Sequence, residues 1–448
     1  MEGPCGVRKI SVRGLNHTRN EVVQQELAGL GEAETLGDIC QAADRALYQL
    51  RSLGIFESAD VLVDTAPENG PRGPLADVVI KLVEKKRLAQ ASTGVSTQSG
   101  EGSMDTKVSV RNVFGWAEQI NFEMEAGQQK SNSFRLAASK PRWLGMDASL
   151  TADVTKSASS HIKHSSFVEK LLGGSVSARV GDARGASGAH ELTTSLNLRD
   201  VCQLERGVAS WPILQQRGLS FKSALSHTFS LSSLDHPIVP TSGTSLKLTT
   251  ELAGVAPPVG DAHFVKHHLS ASAFTPTRHP RVSLGVSVNA GLLLPVGNSY
   301  GTESHISDRF FLGGPGSLWG FRTRGVGPRE LRHSPTGAAA LKPNAPRDSL
   351  GGDVMAAATA RVDVRLPGKL EEANLRAHAF ASAGGLQSLA QLNADGSLYP
   401  SLRACVGVGL AMPSAIGRIE LNLTHVLRRR PEDAVVRNGI QLGIMPPL

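Results

Sequence analysis

The 448-residue chain has few aromatics (4 %), only four cysteines, and no apolar run of 18 residues. The last absence excludes a helical membrane anchor. Cys5, Cys40, Cys202 and Cys405 lie far apart without a CxxC pair, which argues against a disulfide framework or a zinc knuckle. His161-x-x-His164 and the group His263, His267 and His268 lack further ligands at fixed spacing, so neither reads as a metal site. The glycines of 313–327 are not followed by Gly-Lys-Ser/Thr in a strand–helix context, and Ser317 sits in no G-x-S-x-G elbow. No enzyme activity, cofactor or metal is therefore expected. Met1–Gly6 has no charged-then-apolar layout, so no removable targeting peptide is read there. The formal net charge is +7, but the basic residues are dispersed singly, which argues against nucleic acid as a partner. Residues 1–87 carry 11 Lys/Arg and 13 Asp/Glu, leaving a net +9 on residues 88–448.

What is present falls into two regions of different period. Residues 7–85 read as a βααββ unit: a strand at Val7–Val12, a helix from about Thr18, and a second helix over Leu36–Leu53. Ile39, Ala43, Ala46, Leu47 and Leu50 form the stripe of that second helix. Strands at Asp60–Asp64 and Asp77–Val83 close the unit. From residue 88 the helical period vanishes. Val282, Leu284, Val286, Val288, Ala290, Leu292 and Leu294 alternate with small or polar neighbours, Leu293 being the one exception. Ala358 to Leu366 alternate with Thr359, Arg361, Asp363 and Arg365 in the same way. Each such strand has a greasy face and a wet face.

A soluble sandwich alternates too. These runs, however, are long enough for a tilted membrane crossing, and they recur over some 360 residues. Strands are expected at 88–97, 104–114, 117–127, 131–140, 146–155, 174–181, 190–201, 218–231, 243–254, 263–275, 281–294, 352–366, 374–384, 402–412, 416–427 and 435–444, with 205–217 as loop. The expected fold is mainly β: a 16-stranded transmembrane β-barrel (88–448) preceded by one small βααββ domain (1–87). One long loop, 295–351, holds Asp308, Arg309, Phe310, Phe311, Leu312, Gly313, Gly314, Pro315, Trp319, Gly320, Phe321, Arg322, Arg324, Gly327 and Pro328. Its aromatics are too apolar for a solvated tip, so it is expected to tuck into the lumen.

At this loop the sequence resembles the BamA/SAM-type superfamily of barrel-assembly and polypeptide-transport proteins, most of all the channel subunit of the mitochondrial sorting and assembly machinery. Residues 7–85 are similar to a single POTRA domain, notably at Val12–Leu15 and Leu53–Val61. The likeness continues through Glu101–Met104, Ser220–His227 and Glu251–Gly254, and is strongest at Asp308–Pro315. The family usually has Arg-Gly-Phe/Tyr in the loop, where this chain has Trp319-Gly320-Phe321. In bacterial relatives two carboxylates face that arginine. The matching positions here are Asp363, which keeps the charge, and Ser382, which does not. Asp363 is thus the candidate loop anchor, with Arg322 or Arg324 as its expected partner.

The resemblance implies insertion and folding of β-barrel precursors into the mitochondrial outer membrane through a lateral gate between the first and last strands. It places the POTRA domain in the intermembrane space, and implies β-barrel clients, membrane lipid and metaxin-like accessory subunits as partners. Arg437-Asn438-Gly439-Ile440-Gln441-Leu442-Gly443-Ile444 matches the family's insertion signal, with Arg437, Gly439, Leu442 and Ile444 at the patterned positions. Three alternatives stand beside this reading: a polypeptide-translocating relative of a chloroplast envelope or bacterial outer membrane, a passive outer-membrane pore, and a soluble β-rich binding protein.

Overall fold

The computed structural model describes residues 5–70, 73–86, 88–98, 101–128, 131–143, 147–182, 185, 187–202, 208–254, 260–299, 301, 303–333, 346–414 and 417–445. Parts of the expected elements, including 1–4, 87, 205–207 and 334–345, lie outside the described residues. The chain divides into two compact units. One takes residues up to Ser92 with Thr106–Glu123 and Leu136–Asp153; the other takes Thr93–Asp105, Met124–Arg135 and everything from Val154.

The first unit begins with β1 (Gly6–Arg13), α1 (Asn20–Leu27), α2 (Leu36–Ser52), β2 (Phe56–Gly70) and β3 (Gly73–Glu84). These form a sheet of order β1-β3-β2, with β1 parallel and β2 antiparallel to β3. A Thr35–Asp38 capping box starts α2. The helix buries Ile39, Ala43, Ala46 and Leu50 against Val78, Ile80 and Leu82 of the sheet. The same apolar cluster takes in Trp116 and Ala117 from the turn at 112–118. There Asn112 Nδ2 donates to Thr18 Oγ1 at 2.9 Å, and Arg19 N–H donates to the Gly115 carbonyl at 2.9 Å. Glu26 pairs with Arg142 at 3.1 Å, although burial raises its carboxyl pKa. The sequence shows the βααββ order; the contribution of residues 112–118 to its core is a finding of the structure.

Sixteen antiparallel strands make the large sheet: β4 (Ala89–Gln98), β5 (Glu101–Arg111), β6 (Gln119–Gly127), β7 (Asn132–Lys140), β8 (Ala148–Ser160), β9 (Val168–Val180), β10 (Ala189–Cys202), β11 (Gly218–Ser232), β12 (Gly243–Ala253), β13 (Phe264–Pro276), β14 (Val282–Pro295), β17 (Val354–Arg365), β18 (Arg376–Gln387), β19 (Arg403–Ser414), β20 (Gly417–Arg428) and β21 (Ile440–Met445). Each is bonded to its neighbour in chain order, and the order ends on β4 and β21. The long loop between β14 and β17 supplies the remaining pair, β15 (Arg329–Leu331) and β16 (Arg347–Ser349).

Along the barrel the outward face is apolar and exposed: Leu172, Val176 and Val180 on β9, Leu192, Leu196 and Leu198 on β10, Leu284, Val286 and Val288 on β14. A continuous apolar belt of this kind is untenable in water and is the natural face of a strand in hydrocarbon. No helix among the described residues is long and apolar enough to cross a membrane. The sequence misplaces some ends. Strands β8 and β9 run longer than expected, and the last strand starts at Ile440 rather than at 435. The segment expected as loop at 205–217 contains a short helix, Trp211–Gln215.

Candidate functional site

The long loop meets the barrel wall through an apolar face. Phe310, Leu312, Leu318, Phe321 and Val326 form one cluster with the inward residues Ala224, Ala253, Phe264, Leu293, Met355, Ala357 and Leu386. Gly291 makes the room: a Cβ there would stand 2.5 Å from the Phe310 ring. Leu293, the residue that broke the alternation, is fully buried in this cluster. Phe311 turns away into a separate cluster with Phe167, Val201, Ala209, Ile213 and Ile306. Inside the loop, isolated bridges join Leu312 to Val326 and Gly314 to Leu318, while Leu350 N–H donates to the Pro328 carbonyl at 3.0 Å. Gly313 N–H donates to Ser317 Oγ at 3.2 Å, and Gly327 lies against Leu386. Arg309 is buried, donating to Ser304 Oγ at 2.9 Å and to the Leu350 carbonyl at 3.2 Å.

The loop's charged anchor is not the expected one. Asp363 is buried and pairs with Arg361 at 2.8 Å and Arg418 at 2.9 Å, both on the barrel wall. Arg418 also reaches Glu420 at 2.6 Å. Neither Arg322 nor Arg324 pairs with Asp363. Arg322 is exposed, and Arg324 lies over the Phe311 ring at 4.0 Å, where burial lowers its guanidinium pKa to about 10. The physical reason is proximity: Arg361 is two residues along the same inward face and Arg418 comes from β20, so two wall cations already balance the Asp363 charge. At the other matched position, Ser382 accepts from Thr359 Oγ1 at 3.0 Å. Trp319 packs with Phe380, Cys405, Val426 and Met445, replacing an ion pair by apolar contact.

A charged anchor exists with its polarity reversed. Asp308, 3 % exposed, accepts from Arg199 Nη1 and from Lys222 Nζ, both at 2.8 Å. Its carbonyl accepts from Lys266 Nζ at 2.7 Å, and Glu251 holds Lys222 at 2.6 Å. Burial pushes the Asp308 carboxyl up, but Lys222 and Arg199 more than offset that and hold it at about 2. Here the loop supplies the acid, and β10, β11 and β13 supply the bases. Sequence reasoning missed these roles, although Lys222, Glu251 and Asp308 all fall inside the runs that carried the family likeness.

The loop also grips the last strand. Gly320 N–H donates to Gln441 Oε1 at 2.6 Å, and Gln441 Nε2 donates to the Phe321 carbonyl at 2.9 Å. Gly320, at φ +83°, could carry no side chain, because a Cβ would meet Val426 at 2.8 Å. Gly443 faces Pro315 and Trp319, where a Cβ would sit 2.5 and 2.9 Å from them. Before β21, Arg322 N–H donates to the Ala434 carbonyl at 2.8 Å, and Val436 N–H to that of Gly320 at 3.0 Å. Residues 434–436 thus pair with the loop and not with β20, which is why the strand begins late. Of the signal residues, Arg437 is exposed in a turn, and Gly439 (φ +67°) accepts from Thr424 N–H at 2.8 Å. Leu442 and Ile444 face outward, opposite Leu421 and Ile419.

Residues 112–444 match the Omp85 superfamily domain, and the chain belongs to that superfamily. It is similar over 98 % of its length to a SAM50-like protein of Schizosaccharomyces pombe, at 28 % identity and covering 90 % of that protein. The sorting and assembly machinery component 50 homologues of Xenopus laevis (homolog A) and Homo sapiens are 28 % and 27 % identical over 98 % of this chain and 89 % of theirs. In fold, the chain matches BamA from Haemophilus ducreyi lacking POTRA domains 1–3 with a TM-score of 0.80 at 18 % identity, covering 98 % of this chain and 84 % of that one.

Proposed function

We propose that this protein inserts and folds β-barrel precursors in the mitochondrial outer membrane as the channel subunit of a sorting and assembly complex. The full-length likeness to the component 50 proteins supports the function. The observation that carries the mechanism is that the sheet has two end strands, β4 and β21. Strand β20 has twelve residues and β21 six; among the described residues they pair over Arg418–Leu423, with Thr424 N–H bonded in addition to the Gly439 carbonyl. Unpaired backbone facing lipid costs several kcal/mol per group, so the two end strands of the sheet, β4 and β21, are where an incoming strand gains most. The client's C-terminal strand enters at the seam between β4 and β21, and hairpins follow until the product buds into lipid. The POTRA domain lies in the intermembrane space, metaxin-like subunits bind on the cytosolic face, and Arg437–Ile444 serves as this chain's own insertion signal. The buried loop argues against a passive pore.

The test is import of a radiolabelled barrel precursor into mitochondria whose supply of this chain has been switched off. Precursor should cross the outer membrane and remain protease-accessible once that membrane is ruptured. Undiminished assembly would overturn the proposal.

A further inference from the structure

The inward face of β21 meets the loop at Gln441, Gly443 and Met445, and the contacts at the first two are of unlike chemistry. Gln441 uses both ends of its amide on the loop backbone, accepting from Gly320 N–H and donating to the Phe321 carbonyl. Its side chain therefore does what a strand's own peptide group would do, satisfying two main-chain groups inside the barrel. Two residues on, Gly443 leaves no space at all, since Pro315 and Trp319 occupy the volume of a Cβ. Between them Leu442, 66 % exposed, points outward. The loop thus touches the inward positions 441, 443 and 445, while the outward positions are left to hydrocarbon.

We infer that Pro315–Phe321 is a template for the inward face of a closing strand, reading a side-chain amide at the position of Gln441 and a glycine at that of Gly443. This rests on the proposed function. A client strand that takes the place of β21 meets the same Gly320 N–H, Phe321 carbonyl and Trp319 ring. The substrate class is accordingly narrower than barrel precursors at large: the loop favours signal strands in which amide, outward apolar residue and glycine follow one another. Pro315 and Trp319 together are the specificity-determining side chains, since both stand in the space that any larger residue at the third position would need. The amide works through two main-chain groups that are left unpaired when it is lost, and such groups discriminate strongly.

The experiment uses mitochondria in which this chain is the sole copy and a barrel precursor whose C-terminal strand is replaced by the Arg437–Met445 sequence. Gly443→Val in the graft should lower assembly about tenfold relative to the unaltered graft, and Gln441→Leu by a similar factor. With Pro315→Gly and Trp319→Ala together in the loop, the ratio of valine graft to glycine graft should return toward one, whatever the absolute rate. A photo-crosslinker at position 443 of the glycine graft should form adducts with Pro315 or Trp319 of the unmutated loop, a readout that needs no loop variant. Equal assembly of the three grafts, a ratio unmoved by the double loop variant, or crosslinks that miss the loop would each overturn the inference. Failure of the unaltered graft together with the natural precursor would instead count against the proposed function, and this inference would fall with it.

Discussion

At the scale of single residues, Asp308 is the group on which the loop's position depends most. It is buried between two cations, so removing its charge leaves Arg199 without its carboxylate and Lys222 with Glu251 alone. Breaking one side of a desolvated pair costs about 3–5 kcal/mol. Asp308→Asn should therefore expose the loop to protease in the folded, detergent-extracted protein, and cleavage between residues 303 and 333 should be the readout. Asp363→Asn gives no such cleavage, because its partners lie on the wall; matching patterns for the two variants would refute the assignment. The pH dependence has a definite sign. The folded carboxyl titrates at about 2, below its unfolded value of about 3.9. The stabilisation is therefore complete above pH 4 and is lost as pH falls toward 2, by of order 2 kcal/mol. Thermal unfolding followed across that window should show the loss in the parent protein and not in Asp308→Asn.

At the scale of elements, the fit between β14 and the loop rests on an absent side chain. Gly291→Val should drive into the Phe310 ring and cost about 1–3 kcal/mol by overpacking. Phe310→Leu in the same chain should recover most of it, and additive losses in the melting of the double variant would show that the two do not touch. This element also marks what a sequence can and cannot disclose. The period-two alternation is legible because each strand separates two solvents, lipid and lumen, and sixteen strands follow from it. Leu293 broke the alternation for a reason that lies in another segment, since its inward neighbour is the loop. The last strand begins later than its composition suggests for a similar reason: Val435 has the composition of a strand residue but bridges Phe321 in the loop. Of the loop, its apolar burial could be read from Phe310 and Trp319. Its charge anchor could not, because a carboxylate's partner depends on which of several inward cations the fold brings near, and Asp363 was satisfied by its own strand and β20.

At the scale of the whole molecule, the sheet begins on β4 and ends on β21, and all other barrel strands have two neighbours. The central claim is that clients are received at those two ends. Photo-crosslinkers placed singly at Gln90 or Ala91 on β4, at Leu442 on β21, and at the mid-wall positions Leu196 and Leu225 can decide it, with a precursor arrested during assembly. Adducts to the client's C-terminal strand should form from Gln90 or Ala91 and from Leu442, and should be at background from Leu196 and Leu225. Equal yields around the wall, or adducts from the mid-wall positions alone, would contradict insertion at the seam.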